Sequence, residues 1–212
     1  HGPIGIMGDH LLNKGKSMIS IRYMKMSMDQ NYLGTNKISD QHILELPNPT
    51  GMPKNLSVVP QEMDMDMVML GGMYAPSDYI TLMGMIMLEQ KSMELRSYKP
   101  MMSRDIVGDF STKSSGLSSI SLSLLFKILD RDGSKLHAQL GLENSSGKND
   151  LKDNVLTPMG TINEMILPYG MQLADKSYTL LSALTYSKTY EIWKFGSQIR
   201  SRINVENDQW NF

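Results

Sequence analysis

Between residues 62 and 91 the chain reads EMDMDMVMLGGMYAPSDYITLMGMIMLEQK, two runs in which side-chain character changes at every second residue. An alternation of period two predicts strands, because successive residues of a strand point to opposite faces. In the first run Met63, Met65, Met67, Met69 and Met73 share one parity, and Val68, Leu70 and Tyr74 the other. In the second, Met83, Met85 and Met87 travel with Thr81, Glu89 and Lys91, opposite Ile80, Leu82, Ile86 and Leu88. Ala75-Pro76-Ser77-Asp78 lies between the runs, and the whole predicts a β-hairpin.

Polar residues keep company with the methionines, and branched aliphatics do not. The aliphatic face is therefore the greasy exterior, and the methionines look into a polar interior. Residues 17–28 give the same reading: Ile19, Ile21 and Tyr23 oppose Met18, Ser20, Arg22, Met24, Met26 and Met28. Lys25, Asp64 and Asp66 carry the apolar parity, but they lie near strand ends, where a membrane rim would place them in headgroups or water.

Further alternation appears in 117–129, 135–143, 178–186 and 192–203. In the last of these Trp193, Phe195, Ile199 and Ile203 oppose Lys194, Gln198, Arg200 and Arg202. The polar stretches 29–61, 92–115 and 144–176 read as long loops, while Ala75–Asp78, Asp130–Gly133 and Ser187–Tyr190 read as tight turns. Long and short connections that alternate between dyad-patterned strands predict an all-β fold, an antiparallel up-and-down transmembrane β-barrel with long external loops and short periplasmic turns. Residues 1–15 form an irregular leader and 16–212 the barrel domain. Seven strands are visible, whereas single-chain bacterial barrels carry an even number. An overlooked strand near Ile43–Leu46 or within Asn204–Phe212 would mend the count; the favoured expectation is a chain that stops before the barrel closes.

Composition narrows the classes. The 212 residues carry a net charge of −1 with no basic block, which argues against binding nucleic acid through phosphate neutralisation. There is no cysteine, so disulfides, thiolate metal sites and cysteine nucleophiles are excluded. The chain begins at His1 without a visible signal peptide, consistent with a processed or a trimmed form. No run of about 18 apolar residues would make a transmembrane helix, a test that barrel strands of ~9–11 residues escape.

Over most of its length the chain resembles the methionine-rich outer-membrane β-barrel "transporter" proteins of Gram-negative bacteria, which are related to the phenol meta-pathway degradation outer-membrane family. The leader GPIGIMGDH, the strand ISIRYMKMSMD, the block MDMDMVMLGGMYAPSDYITLMGMIM and the later LPYGMQL and YTLLSALTY carry the resemblance. It implies a bacterial outer-membrane location, with the lipid bilayer as partner, and further strands beyond Phe212. It implies little about mechanism.

Twenty methionines make the candidate chemistry. Thioethers are soft, neutral ligands that favour Cu(I) and Ag(I) over hard cations. Strands ~4.8 Å apart, with same-face residues ~6.6–6.8 Å apart, would gather Met24, Met26, Met28, Met63, Met65, Met67, Met69, Met83, Met85 and Met87 on one wall. His10 and His137 could supplement them, and His1 offers an amine and a ring nitrogen. The reading is an interior that binds or conducts soft metal ions; methionine as polarizable filler along a path for small apolar or aromatic organics, or a non-transport structural role, stands as the alternative. No nucleophile elbow, zinc-protease, P-loop or dinucleotide motif occurs, so no enzyme is expected.

Overall fold

The computed structural model describes residues 11–48, 53–100 and 103–205. The strands are β1 (Ser17–Met28), β2 (Tyr32–Leu33), β3 (Asn36–Lys37), β4 (Val58–Tyr74), β5 (Ile80–Tyr98), β6 (Ile106–Arg131), β7 (Ser134–Asn144), β8 (Lys152–Leu156), β9 (Ile162–Ile166), β10 (Tyr178–Tyr190) and β11 (Trp193–Asn204). One helix, α1 (Asp40–Glu45), lies between β3 and β4.

Seven of the strands form a single antiparallel sheet in the order β1-β4-β5-β6-β7-β10-β11. It is a meander in which each long strand pairs with the next long one. Short hairpins β2-β3 and β8-β9 sit in the first and last of the long connections. The sheet does not close: β1 and β11 are its edges among the described residues. In an alternating series of seven the two edges run the same way. Pairing them directly would need a parallel ladder, so antiparallel closure requires an odd number of strands between them.

Three expectations about connections are corrected. Residues 92–115 are not a loop: β5 runs on to Tyr98, β6 starts at Ile106, and only Lys99–Asp105 connects them. The reason is a bulge. Met87 faces Ser119 but Leu88 faces Leu117, so Ser118 is an extra residue that inverts the parity of β6 and breaks its alternation. Residues 29–61 hold a hairpin, α1 and the first residues of β4, and Ile43–Leu46, where the strand count leaves room for a further strand, is largely helix, capped by Ser39. Ser187–Tyr190 is strand; the turn is Glu191-Ile192. The other tight turn, Asp132-Gly133, has φ of 51° and 73° at its two residues, the left-handed pair that a two-residue hairpin loop needs.

The orientation read from the alternation is what the sheet displays. Ile19 is 85% exposed, Leu122 69% and Ile199 74%, while Ser119, Ser121, Ser123, His137, Gln139 and Thr185 on the other face are buried. Lys25 and Asp66 face one another across β1 and β4 on the outer side, where the Tyr23 hydroxyl donates to Asp66.

Toward the long-connection end the same strands rise into a cap with an ordinary dry core. Ile43, Leu44, Val59 and Tyr98 form one cluster; Met93, Leu95, Leu167 and Met171 form another. Arg104 stitches the first by donating to the carbonyls of Leu44 (2.8 Å) and Leu56 (3.0 Å). At the opposite end the leader turns inward. Leu11 and Leu12 pack against Met73, Met83 and Leu125, and the Lys14 amide donates to Asp78 at 2.9 Å.

Candidate functional site

Cross-strand register decides which methionines can act together, because directly opposed residues hold their Cβ atoms ~4.5–5.5 Å apart. Met18 faces Met73, which faces Met83; Met69 faces Met87; Met24 faces Met67; Met26 faces Met65; Met28 faces Met63, which faces Met93. The three predicted methionine strands are therefore adjacent, and their sulfur-bearing residues meet in rows rather than in staggered positions. Three of the rows end on charge: Arg22 opposes Met69 from β1. Met67 lies beside Glu89, and Met65 beside Lys91.

These residues are not all equally enclosed. Met67, Met73, Met83 and Met93 are buried. Met24, Met26 and Met28 lie on the open edge strand and are each about two-fifths exposed. Met63 packs under the cap against the cluster of Leu95 and Met171. Met69, Met83, Met85 and Met87 line one cavity of ≈ 70 Å³ together with Glu143, Arg200 and Arg202. A cavity shared by β4 and β11, five places apart in the sheet order, means the sheet is curled into a trough.

Glycine shapes both sides of this wall. A Cβ on the inward Gly71 would lie 2.6 Å from the Ser20 hydroxyl, and one on Gly141 2.1 Å from that of Ser123. Outside, Gly72 faces Gly84, leaving a groove of ≈ 860 Å³ among Ile19, Tyr74, Leu82, Leu122 and Leu142.

Of the predicted supplements, His10 lies outside the described residues. His137 does face inward and is 4% exposed, but it opposes Lys127 and Thr185, two same-face steps toward the tight turns from the Met83 row. At ~6.6–6.8 Å per step that is too far for it to join the methionines as a ligand. No group of three or more His, Asp or Glu suited to a metal occurs among the described residues.

Polar residues whose partners sequence patterning could not supply frame the trough. Lys91, buried, donates to the Gln172 carbonyl at 2.6 Å and lies 3.4 Å from the Glu89 carboxylate. Gln172 in turn donates to the carbonyls of Leu151 and Leu167 and accepts from the Leu151 amide. This ties the 145–177 connection across the inner face. Arg202 pairs with Glu143 across the intervening strand. The alternation marked Arg200 and Arg202 as interior, but an ion pair 59 residues apart leaves no trace in a local pattern.

Charge on the cap is arranged separately. The Arg96 guanidinium at 2.7 Å holds the Asp109 carboxyl below its ordinary range, and Ser103 and Lys99 do the same for Asp105. Burial pushes Asp175 up, but donation from the Ser177 hydroxyl (2.7 Å) and amide (3.0 Å), with Ser145, outweighs it and leaves the carboxyl lowered.

Compared with family profiles, curated proteins and solved structures, the chain has no match in any of the three.

Proposed function

We propose that this chain forms part of the wall of a transmembrane β-barrel in a bacterial outer membrane, and that its inward methionine rows bind and pass soft monovalent metal ions, Cu(I) or Ag(I). One observation carries the reading: the sheet is inside out. A sheet in water buries aliphatics and exposes serine, glutamine and charge, whereas here Leu122, Leu140, Leu142 and Ile199 face outward and Ser121, Ser123 and Gln139 are buried.

Dimensions agree with a bilayer. The outward apolar run spans Ile80–Leu88 on β5, Ile120–Ile128 on β6 and Tyr178–Tyr186 on β10. Nine residues at ~3.3 Å, tilted ~40°, rise about 23 Å, close to the ~25 Å apolar band of such barrels. Beyond it, Gln90, Ser92 and Glu94 continue the outer parity of β5 as polar residues. Exposed Tyr74, Tyr79, Tyr190 and Trp193 gather at the tight-turn end, where a lower aromatic girdle would sit. The cap is then external, and the leader lies in the periplasmic mouth.

Softness of the ligand set favours Cu(I) and Ag(I), since neutral thioethers offer nothing to hard cations. Opposed pairs supply two sulfurs from rigid backbone with flexible ends. The test is titration of the refolded protein with Ag(I), which needs no reductant. Saturable binding that is lost when Met67, Met69, Met73, Met83 and Met87 become Leu supports the reading; binding that survives those substitutions, or none in the parent protein, refutes it. No catalytic role is proposed.

A further inference from the structure

The two free edges of the sheet carry a pattern of their own. Strands β1 and β11, 12 residues each, pair on one side only, so each leaves a row of backbone N–H and C=O groups open among the described residues. Water solvates such an edge, but hydrocarbon offers those groups nothing. Side chains at the edges lack a neighbour as well. Ile19, Ile21 and Ile199 are 72–85% exposed, against 39–43% for Leu82, Ile86, Ile120 and Leu124 within the sheet. Both edges also place arginine at inward positions: Arg22 on β1, opposite Met69, and Arg200 and Arg202 on β11, opposite Ala183 and Leu181. Arg202 pairs with Glu143, whereas Arg22 and Arg200 make no ion pair among the described residues.

We propose that the gap between β1 and β11 takes one extended strand from a partner polypeptide, antiparallel to both edges, with aliphatic side chains outward and Asp or Glu among small polar residues inward. Such strand addition uses the edge hydrogen bonds for affinity and alternate side chains for selection. Direction follows from topology. Because β1 and β11 run the same way, an odd number of strands must lie between them. One rather than three follows from the interior: Thr81, Leu125 and Thr185 are 0–3% exposed, so side chains already fill the trough, as they do in a barrel of ~8 strands and not in a wider one. Charge sets the inward residues, since a guanidinium flanks them on each side and a carboxylate is its planar match. A second copy of this chain does not fit the gap. In the same orientation it offers only parallel edges with arginine of their own, and inverted it would put its cap on the opposite side of the bilayer.

The probe is a fluorescein-labelled synthetic peptide of ~11 residues, Leu and Val alternating with Glu and Ser. Its twin has Lys in place of Glu and offers micelles the same apolar face. Fluorescence anisotropy is read with the protein folded in detergent micelles, and empty micelles serve as the blank. The Glu peptide is expected to bind saturably and at least tenfold more tightly than the Lys peptide, a preference that should fall to within threefold when Arg22→Gln and Arg200→Gln are combined. Since the chain has no cysteine, Ser27→Cys and Ser201→Cys, near the cap ends of β1 and β11, report direction. A pyridyl disulfide near the N-terminus of the peptide should exchange with both thiols and one near its C-terminus with neither, with circular dichroism verifying the fold of each variant. Equal binding of the two peptides, exchange favouring the C-terminal position, exchange at one edge only, or Ser27→Cys chains that link to one another overturns the inference. The added strand rests on the barrel reading, but the two fail separately: absence of peptide binding while Leu122→Arg still destabilises the liposome-folded protein removes the partner strand and leaves the barrel.

Discussion

Strand β5 obeys opposite rules at its two ends. Near the tight turn its aliphatics Leu82, Ile86 and Leu88 are exposed and the inward places go to Thr81, Met83 and Met85; near the cap Leu95 is buried among Met93, Leu167 and Met171. Backbone, pairing and direction are unchanged between the two regions. What differs is where the aliphatic side chains go: against protein in the cap, onto the open outer face in the trough. In the cap, as in any protein in water, burial of apolar area is the driving force. In the trough the outer face gains nothing from burial against protein and is stabilised only if lipid takes the place of water.

The sharpest test of that contrast is truncation. Leu167→Ala, at a site 2% exposed, should cost about 2–5 kcal/mol of cap stability, while Leu122→Ala should cost well under 1 kcal/mol, measured by denaturant unfolding. Similar costs at both sites would erase the distinction. Next comes charge on the outer face. Leu122→Arg should cost about 2–4 kcal/mol for protein folded into liposomes, and a neutral outcome there would mean that this face does not meet lipid. A smaller effect belongs to the tie between the regions. Lys91→Leu leaves the Glu89 carboxylate and the Gln172 carbonyl without their donor, which should cost about 1–3 kcal/mol and speed proteolysis within 145–177 before the sheet is cut.

The smallest is acid. Asp109, Asp105 and Asp175 have lowered pKa values when folded, so each contributes stability present above the ordinary carboxylate value near 3.8 and lost as pH falls through its folded value. Below about pH 4 amide exchange in the cap should accelerate while the trough stays protected; uniform acceleration would count against separate regions.

Much of the trough was legible because the alternation of outward aliphatic and inward polar or methionine positions is regular there. Met, Ser and Gln on one parity and Ile, Leu and Tyr on the other fixed the faces of β1, β4, β5, β7 and β11 before any pairing was known. The cap was not legible, for two physical reasons. Both of its faces are mixed, since Ser97 and Thr112 share the buried side with Leu95, and the extra residue in β6 shifts the period midway. Methionine rows were anticipated as a wall, but the register that opposes Met69 to Met87 and leaves His137 apart depends on pairing over long separations. The same holds for Arg202 and Glu143, and for Lys91 reaching Gln172. The odd count of seven strands, with the expectation that they stop short of closing, was legible too, and the described sheet ends in two free edges.

Ser118, the extra residue in the middle of β6, sits where trough becomes cap, its hydroxyl donating to the Leu173 carbonyl at 2.9 Å. It acts as a half-turn in the wiring of the longest strand: on one side odd-numbered residues look inward, on the other even-numbered ones do. Removing that single residue would leave every hydrophobic substitution in place yet turn Thr112 and Ser114 inside out. Insertions or deletions along β6 are therefore tolerated only in twos, unless a second irregularity cancels the first.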